Sequence, residues 1–250
     1  MTTLPLPTEV PDSSGSAAKE SLSDKAIKEI RRWIIHHRLT STTPFSEGGL
    51  AEALSISKAP VREALALLRR QGWVTVLPRS GYVAVPTTIE DARNLFTVRV
   101  ALEGEAAALA ARRASRWPEE TDALLAYPRA GQDAVGGTER MTDHYRFHRR
   151  IALLGGNQEL DRILSEVLLK LQRYQTLPMV EGSAQEADLD HGELAEAIQA
   201  GDADRARAVA VEHVTEGRDL LISLLLDSDL VTRTDLAAPL RDATGESRAS

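Results

Sequence analysis

Hydrophobic positions along this chain recur mostly at helical spacing, in stretches separated by short breaks. Ala26, Ile27, Ile30, Trp33 and Ile34 form one face and predict a helix from about Ser23 to Arg38. Thr40-Ser41-Thr42-Thr43-Pro44 interrupts the pattern, and Leu50, Ala51 and Leu54 mark a short helix near Glu47–Leu54. After the tight link Ser55-Ile56-Ser57, the stripe Val61, Ala64, Leu65, Leu68 predicts a third helix over about Lys58–Gln71. Pro60 is tolerated in its first turn and Gly72 ends it. Two short β-runs follow, Trp73–Leu77 and Tyr82–Val85, joined by Pro78-Arg79-Ser80-Gly81 as a hairpin.

From there to about Leu226 every periodic stretch is helical. Pro86 and the capping box Thr87-Thr88-Ile89-Glu90 open a long helix. Helices are expected near 88–115, 119–130, 139–154, 158–176, 185–200 and 203–226. The breaks fall at Trp117-Pro118, Gly131 to Gly137, Gly155-Gly156, Leu177-Pro178 through Gly182, and Gly201. The expected organisation is a disordered tail (1–20), a winged helix-turn-helix (21–86), an all-helical antiparallel bundle (87–226) and a second disordered tail (227–250).

Composition supports this mainly-α class. Aromatics are only 4%, which argues against a sandwich or barrel, and cysteine is absent, which excludes disulfide scaffolds, thiolate metal sites and thiol catalysis. The chain shows neither a signal peptide nor an apolar run long enough to span a bilayer, so a cytoplasmic protein is expected. The net charge of −7 is unevenly spread: residues 21–86 carry ten Lys and Arg against five Asp and Glu. A basic head on an acidic body is the electrostatic footprint of a polyanion-binding module, although a chance surface imbalance gives the same count.

In a winged helix-turn-helix the N-terminal end of the recognition helix faces base edges in the major groove. That assigns Ser57, Lys58, Ala59 and Arg62 to DNA, with Arg62 able to fork onto guanine O6 and N7. Arg79, Ser80 and Gly81 at the hairpin tip are assigned to the sugar–phosphate backbone. Small helical triads with a hairpin also serve as protein-interaction modules.

The run Ser57-Lys58-Ala59-Pro60-Val61-Arg62-Glu63-Ala64-Leu65, followed by Leu68 and Gly72-Trp73-Val74, resembles the signature of the GntR family of bacterial transcription regulators. Glu47, Leu50-Ala51 and the wing Arg79-Ser80-Gly81-Tyr82-Val83 agree with it too. Lys58 stands where arginine is usual, Ser41-Thr42 replace the usual Pro-Gly, and Gly48 sits where some relatives place an arginine.

The helical body holds four of the six histidines. His144 and His148 are i, i+4 on a face that Met141 and Ile151 extend inward. His191 heads the stripe Leu194, Ala195, Ile198, and His213 lies on Ala206, Val209, Gly217, Leu220. Each buried neutral imidazole needs both ring nitrogens satisfied, and a shared divalent metal would satisfy all four residues; a metal-free polar core is the alternative. His36 and His37, at the end of the first helix, are assigned to its C-terminal dipole or to solvent.

This part of the chain resembles the FCD ligand-binding domain of the FadR branch of the same family. Its metal site follows an Asp-x-x-Phe-His pattern and two later histidines. His144-Tyr145-Arg146-Phe147-His148 matches with His144 in place of the Asp, and Gly155-Gly156-Asn157, Asp190-His191, Gly201-Asp202 and His213 match the later motifs. Arg99-Val100-Ala101-Leu102-Glu103 matches the Arg-x-x-Leu-Glu of the first body helix. Four imidazoles favour Zn²⁺, Ni²⁺ or Cu²⁺ over Mg²⁺ or Mn²⁺, with Zn²⁺ or Ni²⁺ expected here. A dication beside Arg99 would trap a carboxylate, so a small organic acid is the expected effector, with Arg146 and Asn157 as further pocket residues; a salt bridge from Arg99 to Glu103 is the alternative.

These readings converge on a ligand-responsive transcription regulator rather than an enzyme. A homodimer on a palindromic operator is expected, since a two-fold axis places two recognition helices on two half-sites. Two other readings use the same histidines: a metal-dependent enzyme and a direct metal sensor. Against the enzyme, no HExxH motif occurs and four protein ligands leave a tetrahedral ion no open position.

Overall fold

The protein is described from a computed structural model covering residues 20–127, 137–180 and 191–227. Nearly all of the two expected tails, residues 128–130, most of the Gly131 to Gly137 break, the Met141 side chain and the expected helix start at 185–190 lie outside those residues.

The N-terminal unit contains α1 (Leu22–Ile35), α2 (Glu47–Leu54), α3 (Lys58–Arg70), β1 (Val74–Leu77) and β2 (Gly81–Ala84). Ser21 starts α1 through a reciprocal capping box with Asp24, its hydroxyl accepting the Asp24 N–H at 3.0 Å. Ser46 caps α2 by accepting from Gly49 N–H, and Ser55, in the left-handed region at φ 54°, ends it. Ala26, Ile30, Ile34, Leu50, Val61, Ala64, Leu65, Leu68, Trp73 and Val74 form one apolar core under the three helices and the hairpin. The antiparallel wing pairs Thr75 with Val83 and Val76 with Tyr82, and Phe45 adds a further rung through two backbone hydrogen bonds to Tyr82.

The body comprises α4 (Ile89–Arg113), a 3₁₀ turn (Ala114–Arg116), α5 (Pro118–Leu125), α6 (Gly137–Gly155), α7 (Gln158–Val180), α8 (Gly192–Gln199) and α9 (Ala203–Asp227). Helix α4 is its axis. Ala106, Ala107, Ala108, Ala110 and Ala111 are all buried, so neighbouring helices approach it closely. At Gly104 a Cβ would sit 3.0 Å from Val211 Cγ2 of α9.

Four local expectations shift, the first being α5, expected near 119–130 but ending at Leu125. The cap of α4 is Thr88 with Asp91, not Thr87 with Glu90, and Thr87 is buried instead. Helix α7 continues past Leu177-Pro178 to Val180, so Pro178 removes one rung of the helical hydrogen-bond ladder without ending the helix. Residues 36–38, expected as the last turn of the first helix, form a turn in which His37 adopts φ 55°.

That turn joins head to body. Thr176 Oγ1 on α7 donates to the Ile35 carbonyl at 2.6 Å and accepts from His37 Nε2 at 3.1 Å. His37 Nε2 also reaches the Arg173 carbonyl at 3.1 Å, so this nitrogen carries the proton. Arg173 donates to the Val85 carbonyl in the link to α4, and Leu169 packs on the head core. His37 is thus held inside the joint, not at the helix dipole or in solvent. Burial, with Arg173 beside it, lowers its pKa to about 4.

Removing the Thr176 hydroxyl in Thr176→Val leaves the Ile35 carbonyl unpaired in the joint. We expect a loss of about 1–2 kcal/mol in urea unfolding. The lowered pKa of His37 means the unfolded chain takes up a proton between about pH 6.5 and 4 that the folded chain refuses. Stability is therefore full above that window and falls as pH drops through it. His37→Asn, which tolerates the left-handed backbone and does not titrate, should show a shallower fall by up to one proton; an unchanged slope would contradict this account of His37.

Candidate nucleic-acid interface and metal centre

The exposed N-terminal end of α3 presents Ser57, Lys58, Ala59 and Arg62 together. Ser57 is the exposed N-cap of α3 and makes no capping bond. Lys58 runs beside Gly48 of α2, where a Cβ would lie 3.5 Å from Lys58 Cε. Arg62 forms an ion pair with Glu47, both Nε and Nη2 lying 3.1 Å from Oε2, and this pair raises its pKa. Glu47 Oε1 also accepts from the Tyr82 hydroxyl of the wing at 3.4 Å. Glu47 therefore ties the recognition helix to the wing. Nothing along the sequence links Glu47 to a residue fifteen positions later, so this contact is visible only in the folded head.

Arg79 and Ser80 stand exposed at the tip of the wing, Arg79 at φ 64°. Gly81 has an internal reason to be glycine. Its φ is +105°, and a Cβ there would lie 2.5 Å from the Phe45 carbonyl oxygen.

In the body, α6 supplies His144 and His148, the N-cap of α8 supplies His191, and α9 supplies His213. One donor nitrogen from each lies within 4.8 Å of the others. His148, His191 and His213 are buried, and His144 is partly exposed. The His144 and His148 rings are 4.4 Å apart between centroids, and His191 and His213 are 4.9 Å apart. Burial lowers the pKa of His144, His148 and His191, that of His191 to about 4, and Arg99 beside them adds to the effect. These imidazoles are neutral at physiological pH, the form that binds metal.

Arg99 and Glu103 of α4 flank the cluster, only 2% and 4% exposed. Arg99 Nε donates to Glu103 Oε1 at 2.5 Å, realising the i, i+4 pair. Arg99 Nη2 also reaches His144 Nε2 at 3.3 Å, so the guanidinium joins the cluster as well. Glu103 Oε2 lies 2.5 Å from His148 Nδ1, although the ring is not aligned for a straight hydrogen bond. The distance outweighs the angle here, because a carboxylate this close can only be accepting the Nδ1 proton. His148 Nε2 is then a lone-pair nitrogen, buried with no hydrogen-bond partner among the described residues. A carboxylate behind one nitrogen and an unpaired lone pair on the other is the arrangement of a metal-ligating histidine. His144 Nδ1 and His191 Nε2 are 3.1 Å apart, within the about 2.9–3.4 Å that two nitrogens span on one ion with bonds of about 2.0–2.1 Å. The donor set fits a transition ion. Glu103 is the site residue the sequence reading placed only as Arg99's partner, since its contact with His148 exists only after α4 and α6 pack.

Arg146 and Asn157, expected in the effector pocket, stand apart from this cluster. Arg146 is two residues from each α6 histidine, on the opposite face of the helix; it is exposed and paired with Asp143 at 3.2 Å. Asn157 is exposed and caps α7, accepting the Leu160 N–H at 3.1 Å. Asp143 faces away, as the helical period requires.

Comparison with known proteins gives the same organisation. Residues 22–83 match the family described as bacterial regulatory proteins, gntR family, and residues 94–216 match the FCD domain. The chain is 25% identical over 204 residues to the HTH-type transcriptional regulator BphR of Paraburkholderia xenovorans, covering 78% of this chain and 82% of that protein. It is 22% identical over 203 residues to the HTH-type transcriptional repressor RspR of Escherichia coli, covering 79% and 87%. A third relative, an HTH-type regulator of Agrobacterium vitis, is 33% identical, but the chain spans only 54% of its length. Among solved structures, McbR/YncC of E. coli superposes with a TM-score of 0.64 at 19% identity, covering 81% of this chain and 98% of that one. A GntR regulator from Rhodococcus sp. RHA1 gives 0.60 at 20% identity, covering 80% and 97%. No helix among the described residues is long and apolar enough to cross a membrane. Head, wing and helical body together make this chain a member of the GntR family of DNA-binding transcription regulators, of the type that carries an FCD domain.

Proposed function

We propose that this regulator controls its operator in response to a small organic acid held in the helical body by a transition metal and Arg99. The observation that carries the reading is the convergence of four imidazoles from three segments beside a buried Arg99–Glu103 pair. A bound Zn²⁺ or Ni²⁺ would supply a Lewis-acidic centre for a carboxylate oxygen. His144, His148, His191 and His213 would hold it, Glu103 would orient His148, and Arg99 would take the second carboxylate oxygen. An ion with four protein ligands must expand to five or six to accept that oxygen, which zinc tolerates and nickel prefers.

The effector acts on DNA only if it binds one arrangement of head and body better than another. Helix α4 carries Arg99 and continues the link from the wing, and α7 packs on α4 and holds the head through Thr176 and Arg173. The operator-facing residues are Ser57, Lys58, Ala59 and Arg62 on α3 and Arg79, Ser80 and Gly81 on the wing. A homodimer on a palindrome gives each half-site one such surface.

In gel-shift titrations Arg62→Ala should lose about 1–3 kcal/mol of specific binding, while Arg79→Ala should weaken all sequences alike and flatten the salt dependence. Full affinity in the Arg62 variant would overturn the assigned orientation of α3. Reconstituted with Zn²⁺ or Ni²⁺, the wild-type protein should carry one ion per chain, and His191→Ala or His213→Ala should reduce it. No stoichiometric metal would leave the histidines a polar core. Metal-dependent operator binding with no response to any acid would make the ion itself the effector.

A further inference from the structure

Arg99 and His144 cannot keep their present hydrogen bond once His144 holds a metal. A guanidinium only donates, so at 3.3 Å His144 Nε2 must be the acceptor. The neutral ring then carries its proton on Nδ1 and donates it to His191 Nε2, 3.1 Å away. Nδ1 is thus the His144 nitrogen turned toward His191. Coordination through Nδ1 requires that this proton leave and that one settle on Nε2, with no change in the charge of the ring. Nε2–H would then face Nη2–H, donor against donor. The Asp of the pattern this site departs from can ligate with one oxygen while the other accepts from an arginine. An imidazole has no third lone pair.

We propose that His144 makes the metal a gate on Arg99: in the metal-free protein the guanidinium is tied to Nε2, and metal at Nδ1 expels Nη2, which then becomes the anchor for a carboxylate. The inference rests on the metal reading above and specifies the order of events within it. Glu103 keeps hold of Nε throughout, so Arg99 stays in place while only its outer nitrogen changes partner. By linkage, a carboxylate that bridges metal and Arg99 tightens the metal by the same factor as the metal tightens it. The substitution of His144 for a carboxylate is therefore what makes the acid site conditional on metal.

The test is a double-mutant cycle in Zn²⁺ affinity, read by competition with a chelating dye, over wild type, Arg99→Gln, His144→Asp and the double variant. Arg99→Gln should tighten zinc by roughly tenfold or more in the wild-type background, where a competing bond is lost. It should weaken zinc in the His144→Asp background, where the arginine supports the ligand. Tightening in both backgrounds is the signature of charge repulsion alone and overturns the gate while leaving the metal site standing. Zinc bound by none of the four proteins overturns both.

Long-range ¹H–¹⁵N correlation spectra of the wild-type protein test the same point without any variant. His144 should be the Nδ1–H tautomer without metal and Nε2–H with zinc. Acetate should shift the Arg99 side-chain resonances only in the zinc-loaded protein. An Nε2–H tautomer in the metal-free protein, or an acetate response without zinc, contradicts the proposal.

Discussion

The body of this protein is organised by the cost of placing a guanidinium, a carboxylate and a set of imidazoles inside a packed helical interior. A buried charge without a partner costs several kcal/mol, so every member constrains the next. Arg99 and Glu103 neutralise each other along one face of α4. Their remaining atoms then decide the tautomers of His148 and His144, and through His144 that of His191. The sequence of donors and acceptors stops at His148 Nε2, a buried lone pair that the described residues leave unpaired. A cation at that point resolves what the protein atoms leave open.

The same helix carries this constraint toward the DNA-binding head. Helix α4, capped by Thr88, follows the link whose Val85 carbonyl is held by Arg173. Helix α7 lies between the body core and the head, and Thr176, Arg173 and Leu169 are all on it. A displacement of α4 or α7 near the histidines therefore has packed side chains and hydrogen bonds through which to reach α3. Small residues along α4 make that path stiff: Gly104 and the buried alanines leave little room for independent movement against α9.

The head was largely legible because local chemistry fixes its boundaries. Ser55-Ile56-Ser57, Pro60 in a first turn and Gly72 at positive φ set the helix ends locally, and α2 and α3 begin and end within a residue of expectation. The four histidines were legible because each lies on an apolar stripe of its own helix. What could not be read is what only packing creates. Glu103 looks like half of a helical salt bridge until α6 brings His148 to it, and Glu47 has no sequence signal for Arg62 or Tyr82. Arg146 and Asn157 stand apart from the histidines, because helical phase pairs Arg146 with Asp143 and Asn157 caps α7. The expectation of the helix dipole or solvent for His37 fails because its neighbours lie 136 and 139 positions away along the chain.

The central claim concerns where one ion sits, and diffraction recorded at the zinc absorption edge from crystals reconstituted with Zn²⁺ addresses it directly. The account predicts a single anomalous peak per chain among His144, His148, His191 and His213, about 2.0–2.1 Å from one nitrogen of each, with the His148 contact made by Nε2. An anomalous map empty at that point, or one with zinc only on surface carboxylates, would contradict it.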